Sequence, residues 1–273
     1  MLRQRIIGSA LWVFILWVFI FLMPAWVFAA SIVVVIGLGL YEFFEMISRK
    51  GILVYKYFGI VTGCLIPITT YVQVAPSAEM EFVLMTAVCL CVFLLQFTRR
   101  NTEQAIVGIA TTILGIFYIG WFFSFMIKLR IMPPLNMDGK MLILYLIIVT
   151  KSGDIGAYII GTLFGSHQLI PRISPKKSVE GTIAGLIISF GTAVLFKGML
   201  PAVSIVHIFV IGILLSLTGQ IGDLSESLIK RDCKVKDSGS VFPGLGGMLD
   251  IIDSLIFTAP ILYFYLRLIP IAG

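Results

Sequence analysis

Apolar residues in this chain occur in long uninterrupted blocks, separated by short polar or proline-containing breaks. A helix needs about 20 mostly apolar residues to cross the hydrocarbon of a bilayer, whereas membrane-spanning strands show alternation instead. The pattern therefore predicts nine transmembrane helices. They are expected at residues 6–23, 26–47, 52–74, 80–97, 104–127, 141–164, 182–197, 203–222 and 249–268.

Composition excludes a water-soluble domain. Hydrophobic residues make up 59% of the 273 positions and charged residues 12%, with a mean hydropathy of +1.06. A soluble domain usually carries about 25% charged residues, so this chain could not cover a surface in water. The breaks hold no polar block large enough for a separate soluble domain. We predict an all-α, polytopic integral membrane bundle.

The net charge of +6 is explained by membrane orientation. With the N-terminus in the cytoplasm, 13 of the 20 Lys and Arg residues fall in loops on that side and five on the other. Such an excess is typical of cytoplasmic loops, so we expect no nucleic-acid partner. The bias predicts a multi-pass protein of the cell (inner) membrane. It places the polar loops 165–181 and 223–248 together on the cytoplasmic face.

Acidic residues concentrate in the second half of the chain. Of the 14 acidic residues, seven flank or occupy the two polar loops: Glu180, Asp223, Glu226, Asp232, Asp237, Asp250 and Asp253. Asp154 lies inside the sixth predicted span, where a carboxylate costs roughly 2.5–3.5 kcal/mol and needs a partner or a wet cavity. We therefore assign residues 1–140 to a transmembrane scaffold and residues 141–273 to a transmembrane catalytic region.

The stretch from Gly222 to Ser254 carries the densest candidate chemistry. If the eighth span continues as a helix past Gly222, residues spaced by three or four positions share one face. These are Asp223, Glu226, Ser227 and Lys230. Asp250 and Asp253 are three apart on the next helix and project from one face. Mg²⁺ is typically held by one or two carboxylates together with substrate phosphates, so the pattern indicates phosphoryl chemistry.

Cations and glycines follow the same carboxylates. Basic residues form a cluster that can neutralise phosphate charge: Lys230, Arg231, Lys234 and Lys236. For Lys234, contact with anionic headgroups explains the charge equally well. Gly244, Gly246 and Gly247 form a turn directly before a helix, which can present N–H groups to phosphate. A purely structural turn is the alternative interpretation.

Two upstream segments repeat this polar character. Ser174, Lys176, Lys177 and Glu180 stand at the start of the seventh predicted span. Asp154 follows Lys151 in the sixth, and either packing against Lys151 or Tyr158 or a functional role would explain it. Small residues recur there every four positions, which predicts close helix packing: Gly153, Ala157, Gly161 and Gly165. Glu42 and Glu45 lie near the cytoplasmic end of the second predicted span, where pairing with Arg49 or snorkelling to the surface explains them.

Several of these stretches carry a family resemblance. They are Ser227-Leu228-Ile229-Lys230-Arg231, Lys236-Asp237-Ser238-Gly239, and Pro243-Gly244-x-Gly246-Gly247-x-x-Asp250-x-x-Asp253. Two further stretches are Asp154-x-x-Ala157-Tyr158-x-x-Gly161-x-x-x-Gly165 and Ile173-Ser174-Pro175-Lys176-Lys177-Ser178-x-Glu180-Gly181. Together they resemble the signature of the phosphatidate cytidylyltransferases (CDP-diacylglycerol synthases), over about residues 150–255.

The resemblance implies that CTP and phosphatidate react to give CDP-diacylglycerol and pyrophosphate, in phospholipid biosynthesis. It implies Mg²⁺, with a second cation left open, and a homodimer for which residues 1–140 offer candidate contacts. By position, Asp223, Asp250 and Asp253 look like the metal ligands. Catalytic roles fall to Asp223, Asp250, Lys230 and Arg231. Substrate-binding roles fall to Ser174, Lys176, Lys177, Glu180, Ser227, Lys236, Asp237, Gly244, Gly246 and Gly247, with Asp154 as a further candidate.

The chain departs from the family pattern at two positions, where Leu245 and Ile251 replace the usual His and Arg. The attacking phosphate oxygen would already be anionic at neutral pH, and positioning carries most of phosphoryl transfer, so we expect activity without that imidazole. Two other functions stay open. A CTP-dependent lipid (polyprenol) kinase would use similar chemistry, and an ion- or proton-coupled transporter would explain Lys151 and Asp154 inside a span.

Overall fold

The computed structural model describes residues 17–72, 78–99, 102–131, 133–134, 137–239 and 246–269. The described helices are α1 (Ala25–Arg49), α2 (Lys56–Val72), α3 (Ala78–Phe97), α4 (Ala105–Gly115), α5 (Phe122–Ile131), α6 (Gly139–Phe164), α7 (Val179–Leu195), α8 (Ile205–Asp232) and α9 (Met248–Leu268). A π-helical turn, Ile116–Trp121, joins α4 to α5. Two short strands, β1 (Gln168–Ile170) and β2 (Ser174–Ser178), precede α7.

The predicted fold class is confirmed, since the chain is a helical polytopic membrane protein. By length and apolar composition, five described helical stretches could cross a membrane: Ala25–Arg49, Ala105–Ile131, Gly139–Phe164, Ile205–Asp232 and Met248–Leu268. Shorter apolar helices cover Glu81–Phe97 and Val179–Leu195. The count of nine spans stays a prediction, because most of the first predicted span lies outside the described residues.

The polar loop 165–181 contains a β-hairpin that the hydrophobic pattern did not predict. Strands β1 and β2 pair antiparallel, with Gln168 opposite Ser178 and Ile170 opposite Ser174. Ser178 then caps α7, because its hydroxyl accepts a hydrogen bond of 3.1 Å from the Gly181 N–H. Ser at this position satisfies one of the free N–H groups of the first helical turn. The hairpin holds the lysine-bearing strand at the start of α7.

Helix α8 runs ten residues beyond the predicted end of its span, from Ile205 to Asp232. The helix therefore continues past Gly222, as is required for Asp223, Glu226, Ser227 and Lys230 to share one face. The C-terminal end of α8 is joined to that of α1 by an ion pair of 2.5 Å between Lys50 Nζ and Asp232 Oδ2. The polar end of α8 thus belongs to the same rigid helix as its apolar span.

Small residues bring α6 and α7 together, as their spacing predicted. A Cβ atom added to Gly153 would lie 2.7 Å from the Ser189 hydroxyl, and one added to Gly181 would lie 2.6 Å from the Ala157 carbonyl oxygen. Neither position leaves room for a side chain, so the two backbones approach closely there.

The main hydrophobic core includes residues from both parts of the chain. Phe43 and Phe44 of α1 are fully buried, as are Phe125 of α5 and Tyr145 of α6. They belong to one packed cluster that also contains Leu249 of α9. The division into a scaffold and a catalytic region stays a prediction, and α1 packs directly against the helices that carry the polar residues.

Candidate active site

Three carboxylates from two helices converge at the polar end of the bundle. Asp223 and Glu226 come from α8 and Asp253 from α9, and one oxygen of each lies within 4.8 Å of the others. Glu226 is 1% exposed and Asp253 8% exposed, whereas Asp223 is partly exposed. Oxygen ligands grouped in this way suit a hard divalent cation such as Mg²⁺. We call these three residues the acidic trio.

Gly222 explains how α8 and α9 come close enough to form the trio. A Cβ atom added to Gly222 would collide with the Asp253 carbonyl oxygen and lie 3.1 Å from the Ser254 Cα atom. The obstacle is backbone rather than a flexible side chain, so a side chain here would have to move one helix. The glycine immediately before Asp223 therefore sets the distance across the trio.

Replacing Gly222 with Ala is expected to lower turnover roughly 100-fold, the effect of an ångström-scale misplacement in an active site. The matched control is Gly191→Ala in α7, where no atom lies within 4 Å of an added Cβ. Turnover and thermal unfolding of both variants, purified in detergent, provide the measurement. Wild-type turnover in Gly222→Ala would show that the close approach of the helices is unimportant.

Each member of the trio pairs with one lysine, and the three lysines come from three different elements. Lys177 Nζ of β2 lies 2.6 Å from Asp223 Oδ2, and Lys151 Nζ of α6 lies 3.8 Å from Asp253 Oδ1. Lys230 of α8 contacts Glu226 as an ion pair. Apart from this pair, neither Glu226 oxygen has a hydrogen-bond partner among the described residues. A buried carboxylate with so little hydrogen bonding is suited to receive a cation.

Asp154 joins the margin of the trio through Ser254. The Ser254 hydroxyl donates to Asp154 Oδ2 at 2.9 Å and accepts from Lys151 Nζ at 2.8 Å, while Lys151 also lies 3.3 Å from Asp154. Tyr158 is 75% exposed. The packing interpretation with Lys151 is supported, and the same contacts place Asp154 beside Asp253.

Asp250 lies next to the trio and makes a different set of contacts. Its Oδ1 atom lies 2.5 Å from Lys230 Nζ. Its Oδ2 atom accepts from Gly247 N at 2.8 Å, from Ser238 N at 3.1 Å and from the Ser238 hydroxyl at 2.9 Å. The two oxygens thus bind a lysine and the loop before α9. Glu226, rather than Asp250, joins Asp223 and Asp253 in the acidic trio.

Glu42 of α1 holds the start of α9. This residue is 4% exposed, and its carboxylate accepts from Met248 N and Leu249 N, each at 2.9 Å, and from the Ser238 hydroxyl at 3.0 Å. An acidic group at a helix N-terminus satisfies free N–H groups and complements the helix dipole. The interpretation of Glu42 as a snorkelling or Arg49-paired residue is corrected: Glu45 makes the Arg49 pair, at 3.0 Å.

A sequence model of the cytidylyltransferase family matches residues 3–269. The chain belongs to this family. It is 33% identical over 291 residues to a phosphatidate cytidylyltransferase from Synechocystis, covering 97% of each chain. It is 38% identical over 193 residues to the phosphatidate cytidylyltransferase of Bacillus subtilis, covering 70% of this chain and 69% of that one. A chloroplastic phosphatidate cytidylyltransferase of Arabidopsis thaliana is 33% identical over 279 residues, 91% of this chain and 68% of its own.

In this member of the cytidylyltransferase family, the backbone of the glycine-rich turn packs against the carboxylates of Asp250 and Glu42. Gly246 has a φ of +96°, and a Cβ on it would lie 2.7 Å from Asp250 Oδ2. A Cβ on Gly247 would lie 2.5 Å from Glu42 Oε2. The N–H groups of residues 247–249 already donate to Asp250 and Glu42. These contacts give a structural reason for Gly246 and Gly247. Gly244 and Leu245 lie outside the described residues.

Among the other predicted site residues, Ser227 contacts the trio, and the rest make other contacts or are exposed. Ser227 donates to Asp223 Oδ1 at 3.4 Å. Arg231 donates to the carbonyl groups of Ile173 and Val235, both at 3.3 Å, and so joins the hairpin to the loop after α8. Lys176, Lys236 and Asp237 are exposed, and Ser174 is partly buried. Glu180 accepts from the His167 N–H and contacts its ring at 2.6 Å.

Sequence reasoning missed two functional candidates, and each had a different signal. Glu226 was placed on the same helical face as Asp223, so its spacing alone could have added it to the metal set. Glu42 had no comparable signal, because its partners lie 206 and 207 residues away in the chain.

Proposed function

We propose that this protein transfers the cytidylyl group of CTP to phosphatidate, giving CDP-diacylglycerol and pyrophosphate. The observation that carries the proposal is the acidic trio with its three lysines, in a member of the cytidylyltransferase family. In the reaction, a phosphate oxygen of the lipid forms a bond to the α-phosphorus of CTP. The bond from that phosphorus to the bridging oxygen breaks, and the electron pair leaves with pyrophosphate.

Asp223, Glu226 and Asp253 fit a divalent cation, for which Mg²⁺ is the natural candidate. They offer hard oxygen ligands, and the buried Glu226 has no hydrogen-bond partner among the described residues besides Lys230. When bound, the cation supplies positive charge that neutralises the triphosphate. A second cation is part of the family-based expectation, and Asp154 beside Asp253 is the residue that would assist it.

The lysines have a second task in this proposal. Each lysine is now paired with a carboxylate. If a divalent cation bound these carboxylates instead, the lysine ammonium groups would be free to contact phosphate oxygens. Lys230 is the best placed, since it lies between Glu226 and Asp250. Lys177 is held by the hairpin beside Asp223. Fixed positive groups at the leaving pyrophosphate stabilise charge where it develops.

We further propose that the site faces the cytoplasm of the cell (inner) membrane and that the protein is a homodimer. The orientation is supported by the excess of Lys and Arg in the loops on that side, where CTP is available. The dimer is supported by the family resemblance alone.

The deciding experiment supplies the purified protein with Mg²⁺ and with CTP labelled at one of two positions, together with phosphatidate and a polyprenol in detergent micelles. Label in the cytosine ring is expected in a lipid-soluble product, with an equal amount of pyrophosphate released. Label in the γ-phosphate is expected in pyrophosphate alone. A lipid-soluble product carrying the γ-phosphate label would instead identify a CTP-dependent lipid kinase. No labelled lipid from either substrate would refute both enzymatic proposals.

A further inference from the structure

An apolar groove opens on the side of the bundle between α4, the π-helical turn and α9. Its volume is about 520 Å³, and Ala110, Leu114, Tyr118 and Phe257 are among the residues that line it. Ala110 and Leu114 face outward on α4, and Leu114 is 50% exposed. The groove is therefore open to the apolar surroundings of the bundle rather than enclosed within it.

One polar group lies at the inner wall of this groove. Tyr118 is 4% exposed, and its hydroxyl has no hydrogen-bond partner within the described residues. Buried hydroxyl groups almost always have a partner, so an unmatched one indicates a ligand, a water or a group outside the described residues. Tyr118 lies in the π-helical turn, and such turns occur frequently at functional sites.

The groove approaches the acidic trio along α9. The Tyr118 ring lies 5.6 Å from the Phe257 ring, centroid to centroid. Phe257 follows Asp253 by four residues on α9, so both side chains lie on the same face of that helix. A molecule in the groove would therefore lie about one helical turn from Asp253.

We propose that this groove holds an acyl chain of the lipid substrate and that the Tyr118 hydroxyl donates a hydrogen bond to the lipid phosphate. The proposal rests on the function proposed above. The apolar walls match a hydrocarbon chain, the unmatched donor matches an anionic oxygen, and the trio marks where the phosphate must react. An ordinary phospholipid fits the walls and also carries a phosphate that could accept this hydrogen bond. If the groove holds such a lipid instead of the substrate, changes in the groove should leave KM for phosphatidate unchanged.

Two substitutions test the two halves of the proposal separately. Ala110→Trp fills part of the groove without altering a polar group, and Tyr118→Phe removes only the hydroxyl. The matched control is Leu90→Trp on α3, an exposed apolar position that does not line the groove. For each variant, KM and kcat are measured with long-chain and short-chain phosphatidate at saturating CTP, and KM for CTP is measured separately.

The expected result for Ala110→Trp is a KM raised on the order of tenfold for long-chain phosphatidate, with a much smaller change for the short-chain lipid. For Tyr118→Phe, KM is expected to rise on the order of tenfold for both lipids, the loss of one hydrogen bond to a charged group. KM for CTP should stay unchanged in both variants, and Leu90→Trp should match the wild type.

Two outcomes would overturn the inference while leaving the proposed function intact. The first is an active Ala110→Trp enzyme that treats long-chain and short-chain lipid alike. The second is an unchanged lipid KM in Tyr118→Phe. A wild-type protein that makes no CDP-lipid would instead refute the proposed function, and this inference with it.

Discussion

The Glu226→Gln variant is expected to lose turnover on the order of 100- to 1000-fold, the effect of removing one fixed charge-stabilising group from an active site. The substitution keeps the volume of the side chain but removes the charge that joins Asp223 and Asp253 in the trio. It also leaves Lys230 with Asp250 as its remaining carboxylate. The measurement is kcat for cytidylyl transfer as a function of Mg²⁺ concentration, in protein that elutes from gel filtration as the wild type does.

The same measurement separates the trio from Asp250. We expect Asp223→Asn and Asp253→Asn to need more Mg²⁺, as Glu226→Gln does. We expect Asp250→Asn to lower kcat at an unchanged Mg²⁺ requirement, because its contacts are with Lys230 and the loop. Asp232→Asn is the matched control, since Asp232 also lies on α8 but pairs with Lys50 at the surface. If Asp250→Asn needs more Mg²⁺ and Glu226→Gln does not, Asp250 is the metal ligand and Glu226 is not.

Replacing Glu42 should damage the site from a helix that carries no part of the trio. Glu42→Ala leaves the buried N–H groups of Met248 and Leu249 without their acceptor, at about 1–3 kcal/mol each. We therefore expect a lower unfolding temperature and a loose start to α9. Since α9 carries Asp253, and Asp250 binds the same loop, kcat should fall at least tenfold. Differential scanning calorimetry and steady-state kinetics provide the two measurements.

Conservative variants distinguish a positioning role from a general loss of stability. Glu42→Gln keeps the size of the side chain but offers one acceptor oxygen instead of two, so kcat should fall while KM for CTP changes little. Glu45→Gln, three residues along α1, is the control. Glu45 pairs with the exposed Arg49 and with the partly buried Lys56. Exposed pairs such as that with Arg49 contribute roughly 0–1 kcal/mol. If Glu42→Gln unfolds and turns over as the wild type does, Glu42 has no positioning role.

Local pattern was sufficient for the helices and for much of their packing. Eight apolar blocks predicted the positions of α1 to α9, with α4 and the start of α5 in the single block 104–127. The four-residue spacing of Gly153, Ala157, Gly161 and Gly165 predicted a close helix contact, which α7 makes. The continuation of α8 past Gly222 was the condition for a shared polar face, and α8 runs to Asp232. These features follow from helical periodicity, which depends only on residues near in sequence.

The local sequence pattern could not predict which residues each carboxylate contacts. Asp250 and Asp253 are three residues apart on one helix, and spacing alone predicted equivalent roles. Their surroundings differ because Asp250 faces the glycine-rich loop and Lys230, whereas Asp253 faces α6 and α8. Glu42 depends on contacts between the first and last described helices, which no local pattern encodes. The hydrophobic pattern did not predict the hairpin before α7, because its strands contain only three and five residues.

The contact between Glu42 and the start of α9 also bears on how the protein is made. Helix α1 is synthesised about two hundred residues before the N–H groups that its glutamate binds. In the interval, a carboxylate drawn toward the bilayer centre would cost roughly 2.5–3.5 kcal/mol, so Glu42 favours a place at the water boundary. Insertion of the final helix supplies its partners and brings Asp253 to Asp223 in the same event. A ribosome that stops before α9 would leave a membrane protein in which Glu42 lacks its N–H partners and the acidic trio lacks Asp253.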